Sequence, residues 1–586
     1  MQDTTFRVPS DRPWFSTHWP EEVPKNLEFS DKTVDTLVRD AAIRWPTRPA
    51  VWFLDMRFTY RQWDRDVDTF ATALFSMGLK KGETIALMLP NSYHYLVAYH
   101  AALRIGAIVS GVNPTYKPLE IRHQLETVHA KALIFLDVLY EEKIAPIRND
   151  LKLRFLIGAN IGDFLPWHKK RLGLLLKKLP TAALPQDAVA FSELMKTRPN
   201  PPAIDIDARR DPAVYIMTGG TTGVPKAAVL THFNVLSNAI QARAWFYTAH
   251  PGVASLAVIP FFHAFGMTAI MNVTTTWGGM IIVFPKPPSS EDLCKTIVKV
   301  GVKDRELLYI GAEVLFQRLV DFPDIKKYGV DKKFLFCLSG AGPLHTHVQK
   351  AFETLTEVPL VEGYGLTEAS PVVSVNLLYG PDELRRSGTI GLPLPGTDWR
   401  IVDRADPYRN LGIGDGPDDQ DHIGELAVCG PQVMQGYLDN PDETEAHFFE
   451  EDGKRWLLTG DIGYMNAAGM VTILDRKKEL IKVKGFSVFP KDVENLLGRH
   501  PAIDEVAVSG LPDAENTEVI KAWVVLKPEF SGKITPEDII AWARENMTYY
   551  KVPRYVEFRE SIPKNLVGKV LRRELREQDP LWRKQG

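Results

Sequence analysis

"TIALMLPNSYHYLVAYHAALRIGAIVSGVNPTYKPLEIRHQLETVHAKALIFLD" runs from Thr84 to Asp137. "TIALMLP" is an apolar run of strand length. "SYHYLVAYHAALRIG" is apolar over helical length and closes on Gly106. "AIVSGVNP" and "KALIFLD" return to strand character. This alternation predicts a parallel sheet with helices on its faces. Upstream, "TYRQWDRDVDTFATALFSMG" (Thr59–Gly78) places apolar residues at helical spacing before a glycine stop. Strand-like pieces recur after Pro212 at "AVYIM", "SLAVIP", "MIIVFP" and "FLFCLSG", so two α/β units are expected.

From Gly388 to Asp475 the strands shorten and the turns carry Gly, Pro, Asp and Asn. Asp403–Asp421 reads as a loop, and "GYMNAAGMVTILD" as a hairpin turning at Asn466–Gly469. A smaller β subdomain is expected there. Beyond the charged break "DRKKE" (Asp475–Glu479) lies a mixed tail of a hundred or so residues, enough for a small domain.

Bulk properties exclude several classes. The 586 residues are too many for one core, and a net charge of −3 gives no general attraction to nucleic acid. Cys294, Cys337 and Cys429 are far apart, which argues against a disulfide scaffold or a zinc site. No secretory h-region is read at the N-terminus, and a cytoplasmic, reducing location is expected. Pro251–Pro285 contains no charged residue and is long enough to span a bilayer. Pro260, Gly266, Thr274–Thr276 and Gly278–Gly279 divide it, so buried strands around a short helix are expected instead. Phe164–Pro180, "FLPWHKKRLGLLLKKLP", has five basic residues and no acid. Two readings stay open for it: peripheral contact with an anionic membrane, or a surface helix whose leucines pack on the body.

The chemistry is concentrated in a few short stretches. "TGGTTGVPK" (Thr218–Lys226) has the glycines and hydroxyls of a phosphate cradle. It is not a Walker loop, because Val224 and Pro225 separate Gly223 from Lys226 and Ala227 stands where a hydroxyl is needed. "VEGYGLTEASP" (Val361–Pro371) offers an aromatic, Tyr364, a hydroxyl, Thr367, and a carboxylate, Glu368, suited to a hard cation. "LTGDIG" sets Asp461 between glycines, "LDRKKELIKVKGF" adds Arg476, Lys478, Lys482 and Lys484, and "PKNLVGKVLRREL" puts Lys569 after Gly568.

In order and spacing these motifs resemble the adenylate-forming superfamily of acyl-CoA synthetases, luciferases and adenylation domains, most of all its long-chain fatty-acid–CoA ligases. The resemblance covers nearly the whole chain. It implies a large N-terminal domain (1–476) of two doubly wound α/β subdomains and a distorted β-barrel, and a small mobile α+β domain (477–586) hinged near Lys478. It implies that ATP and CoA are used with Mg²⁺ to turn a medium- to long-chain fatty acid into its CoA thioester through an acyl-adenylate. Thr218, Gly219, Gly220, Thr221, Thr222, Gly223 and Lys226 would hold the ATP phosphates. Gly340, Ala341 and Gly342, with Glu362, Gly363, Tyr364 and Gly365, would form the adenine site. Thr367 would contact the α-phosphate, Glu368 would ligate Mg²⁺, and Asp461 and Arg476 would hold the ribose. Lys569 would bridge the two reactants, His263 would sit beside the acyl site, and Lys482, Lys484 and Gly485 would serve the CoA side.

Departures from the family pattern are Ala227, expected to be absorbed at a helix start, Gly342, and the expected tunnel wall at Tyr309–Leu315. A homodimer is a further candidate assembly. Two alternatives remain open: an adenylating ligase for aromatic or other carboxylates, or for a carrier protein, and a nonenzymatic acyl or nucleotide binder.

Overall fold

The computed structural model describes residues 12–15, 18–176, 179–218, 225–385, 388–477, 479–483, 486–513, 517–564 and 570–583. The α/β alternation becomes two large sheets. In the eight-stranded sheet, Thr84–Met88 lies between Ile108–Gly111 and Ala130–Leu136, all three parallel. The helix Tyr93–Arg104 that joins the first two is buried along its whole length, which explains why its sequence is apolar on every face. Pro212–Thr218 continues this sheet and turns back antiparallel as Lys226–Thr231.

The nine-stranded sheet has Ala254–Ala257, Leu307–Gly311, Phe334–Ser339 and Leu360–Gly365 as its parallel centre. The uncharged stretch Pro251–Pro285 supplies two of its strands, Ala254–Ala257 and Ile281–Val283, around a helical segment beginning at Phe265. Among the described residues no helix is long and apolar enough to cross a membrane. Tyr309 is buried against Phe316 and Phe334, with ring centroids 4.9 and 6.1 Å away.

A five-stranded antiparallel sheet follows, with Asp398–Val402, Gly424–Cys429 and Lys454–Met465 in sequence across it. The expected hairpin pairs Lys454–Met465 with Val471–Arg476, and the Gly469 amide closes its turn on the Asn466 carbonyl. A fourth sheet, built from residues 481–558, encloses apolar clusters of its own around Val508, Ala522 and Trp523. The fold is therefore α/β, with mixed sheets and a small C-terminal unit.

One local expectation needs correction. Ala227 does not open a helix; it lies within the strand Lys226–Thr231. Val229, Leu230 and Thr231 suit a buried strand, and pairing with Pro212–Thr218 fixes it. The helix begins only at His232, where the Thr231 side chain accepts from the Asn234 amide.

Candidate active site

In an open parallel sheet, ligands bind beyond the carboxyl ends of the strands. Four predicted segments converge there in the nine-stranded sheet. Gly340 follows Phe334–Ser339 and donates its amide to the Gly311 carbonyl, 2.9 Å away. Phe265 packs so closely that a Cβ at Gly340 would lie 2.8 Å from its ring. The His263 loop is held by Asn91, whose side chain bonds the Ala257 and Ile259 carbonyls and the Phe261 amide. Burial pushes the His263 imidazole down to about 4, so the ring is neutral at pH 7. Ala341 holds φ at +66°, a left-handed conformation that costs an alanine roughly 1–2 kcal/mol. Gly342 beside it has open space where a side chain would stand.

Glu368 joins the two large sheets. It sits in the turn Thr367–Ala369 after the strand Leu360–Gly365. Its Oε1 accepts from the Thr218 hydroxyl at 2.9 Å and from the Tyr437 hydroxyl at 3.0 Å. Burial raises the Tyr437 phenol above its usual range, and the Glu368 charge adds to this. The Met434 amide donates to the Glu368 carbonyl, and Tyr437 pairs with Ala228 across a short ladder. Lys226 is 8% exposed; its ammonium pairs with Glu443 and lies 5.9 Å from the centre of the Tyr437 ring.

A second set forms beside the first. The Tyr364 hydroxyl donates to Asp461 Oδ2 at 2.5 Å, and Arg476 Nε lies 2.9 Å from Asp461 Oδ1. Asp461 and Arg476 face each other directly across the hairpin, so the strand register presents them together. Asp461 holds the Arg476 guanidinium above its ordinary value, and Tyr364 and Glu368 reinforce it. Arg476 therefore feels the carboxylates of both sets. Gly365 is required by close approach, since a Cβ there would stand 2.1 Å from the Pro371 carbonyl oxygen. Gly363 packs against Leu338. Glu362 is half-buried and accepts from the Leu344 amide at 3.3 Å. Burial raises its carboxyl to about 7, although the Lys491 charge partly offsets this.

Lys482 is exposed on the strand Ile481–Val483 of the fourth sheet, and its amide donates to Glu518 at 2.6 Å. Gly219, Gly220, Thr221, Thr222, Gly223, Lys478, Lys484, Gly485 and Lys569 lie outside the described residues. Sequence reasoning did not anticipate Tyr437 and Glu443, which sit 69 and 217 positions from their partners and belong to no recognised motif.

Among the described residues no group of three or more His, Cys, Asp or Glu could cage a metal ion. A Mg²⁺ held mainly by nucleotide phosphates and water needs only one or two carboxylates from a protein. Glu368 would offer one, and its Oε1 is fixed by two hydroxyl donors.

The chain is similar in sequence and fold to proteins of known family. A family model described as AMP-binding enzyme matches residues 38–438, and one described as AMP-binding enzyme C-terminal domain matches residues 492–569. A long-chain-fatty-acid–CoA ligase of Bacillus subtilis (strain 168) is 36% identical, over 97% of this chain and 98% of its own. One from Salmonella typhimurium is 34% identical, over 96% of this chain and 97% of its own. In fold, the chain is similar to an ATP-bound MatB from Rhodopseudomonas palustris, with a TM-score of 0.77 and 24% identity, covering 93% of this chain and 99% of that one. The match in sequence extends over nearly the full length, and the chain belongs to the AMP-binding enzyme family.

Proposed function

We propose that the protein is an acid–thiol ligase that activates a fatty acid to its acyl-CoA thioester at the expense of ATP. The observation that carries this reading is 36% identity to a long-chain-fatty-acid–CoA ligase over almost the whole of both chains. A medium- to long-chain acid is favoured as substrate. Tyr364, Asp461, Arg476 and Glu368 are of kinds suited to a nucleotide, which supports this reading.

In this reading Tyr364 flanks the adenine, while Asp461 and Arg476 bind the ribose hydroxyls. The residues 218–226 steady the phosphates, and Lys226 anchors the end of that loop through Glu443. Mg²⁺, when bound at Glu368, supplies positive charge to the phosphate oxygens. Thr218 and Tyr437 hold Glu368 in one orientation for that purpose. A carboxylate oxygen of the fatty acid attacks the α-phosphorus, the bond to the β-phosphate breaks, and pyrophosphate leaves. Attack brings like charges together, and Lys569 offsets that repulsion between the two reactants.

The thiolate of CoA then attacks the acyl carbon, the bond to the adenylate oxygen breaks, and AMP leaves. One carbonyl thus needs two different surroundings. We assign the exchange to rotation of residues 477–586 about Lys478, which withdraws Lys569 and brings Lys482, Lys484 and Gly485 to the CoA side. The separate sheet and apolar clusters of this segment support its moving as one body.

The test is the purified protein with ATP, Mg²⁺, CoA and a panel of carboxylates, reading AMP, pyrophosphate and thioester together. Equal amounts of all three, highest with long-chain fatty acids, are expected. AMP and pyrophosphate without thioester, or a preference for aromatic acids, would replace this reading with the alternative ligase.

A further inference from the structure

The acid-free stretch after Asp163 forms a helix, Trp167–Leu175, of which no side chain is buried. Of the large apolar side chains exposed among the described residues, five fall within Trp167–Leu176. Trp167 is 76% exposed, Leu175 73%, Leu172 58% and Leu176 56%. Leu172, Leu174, Leu175 and Leu176 therefore do not pack on the body, whereas Phe164 and Leu179 at the ends of the segment do.

The helix is oriented against the usual rule. Its half-buried positions are Lys170 and Gly173. Lys170 donates to Asp163 Oδ1 at 3.0 Å, and Leu179 packs so closely that a Cβ at Gly173 would lie 2.5 Å from it. At about 100° per residue, Trp167, Leu172, Leu175 and Leu176 span the opposite, outward half, together with Arg171. An ordinary surface helix turns its apolar side chains inward; this one turns most of them to solvent, interleaved with Arg171. Scattered exposed leucines need no explanation, but a contiguous apolar patch marks a contact surface.

We propose that this outward face is a docking surface for an anionic lipid bilayer. Exposed Lys169 and Arg171 flank the apolar side chains, and the sequence from Phe164 to Gln186 contains no Asp or Glu to cancel their charge. Basic residues around a tryptophan and leucines match a bilayer interface, where charge meets lipid phosphate and apolar groups enter the acyl boundary. A second copy of the chain is disfavoured as occupant, because a two-fold contact would set the same cations against each other. The proposal goes beyond the ligase reading and does not depend on it.

The experiment is co-sedimentation of the full chain with vesicles of phosphatidylglycerol and phosphatidylcholine, against pure phosphatidylcholine. The protein is expected on the mixed vesicles, with little on the neutral ones, and high salt should release it. Combined Trp167→Ser, Leu172→Ser and Leu175→Ser should weaken binding by about tenfold or more. So should combined Lys169→Glu and Arg171→Glu. Both variants should keep carboxylate-dependent pyrophosphate exchange on detergent-dispersed substrate, which separates lost docking from lost folding or chemistry. Three results would overturn the proposal: no vesicle binding by the wild type, equal binding to neutral vesicles, or unchanged binding by both variants. A concentration-dependent dimer abolished by the serine variant would reassign the patch to self-association.

Discussion

At the scale of single residues, the site depends on a few carboxylates whose partners come from distant parts of the chain. Glu368 accepts two hydroxyls at one oxygen, which leaves its charge directed rather than dispersed. Replacing Glu368 with Gln keeps the shape and removes the charge. Carboxylate-dependent ATP–pyrophosphate exchange is expected to fall by about a hundredfold or more, with the denaturation midpoint little changed. Loss of folding in step with activity would make Glu368 structural. Lys226 and Glu443 pose a different question, because the lysine is almost enclosed. Glu443→Leu alone leaves a buried cation facing an apolar side chain and should destabilise the protein by roughly 3 kcal/mol. Combining it with Lys226→Met should recover most of that loss in urea unfolding, though not the activity. Strict additivity of the two changes would deny the coupling.

The elements were largely legible in the sequence, for physical reasons that also show where legibility stops. Thr84–Met88 and Ala130–Leu136 read as strands because both their faces are covered, so nearly every position is apolar. The hairpin at Asn466–Gly469 was readable from its turn residues, and its register delivered Asp461 and Arg476 as a pair. Lys226–Thr231 was misread because a glycine-rich loop with a terminal lysine suggests a helix start, whereas pairing with Pro212–Thr218 imposes a strand. Tyr437 and Glu443 were invisible because their roles come from tertiary contacts alone. Composition announced the basic helix at Trp167, but not which side would face outward. The strand Leu360–Gly365 carries its own prediction. Gly365→Ala forces a Cβ against the Pro371 carbonyl and should cost about 1–3 kcal/mol, read as a lower melting temperature. An unchanged melting temperature would mean that the following turn yields easily.

For the molecule as a whole, buried titratable groups set the response to acid. Burial lowers His100 to about 3, and His232 and His263 to about 4, from an ordinary value of 6.5. His232 Nδ1 accepts from the Val34 amide, which also requires a neutral ring. A depressed histidine favours the folded state above pH 6.5, and that contribution is lost as pH falls toward the folded value. Glu362 acts in the opposite sense: its raised carboxyl makes the folded state lose stability as pH rises from about 4.5 to about 7. Burial also raises Asp66 and Asp475 to about 6, so these carboxyls oppose the histidines, and the gain in urea midpoint from pH 5.5 to pH 7.5 should be smaller in a His100→Gln variant than in the wild type. The same pH dependence in variant and wild type would contradict the neutral assignment of that ring.

The same scale carries the claim that one chain forms a thioester in two steps at one site. The most direct measurement separates them in a Lys569→Ala variant. Step one is fatty-acid-dependent ATP–pyrophosphate exchange. Step two is thioester formation from supplied acyl-adenylate and CoA. The account predicts that exchange falls by at least about a hundredfold while the second step stays close to wild type. Equal loss of both steps, or no loss of exchange, would contradict it.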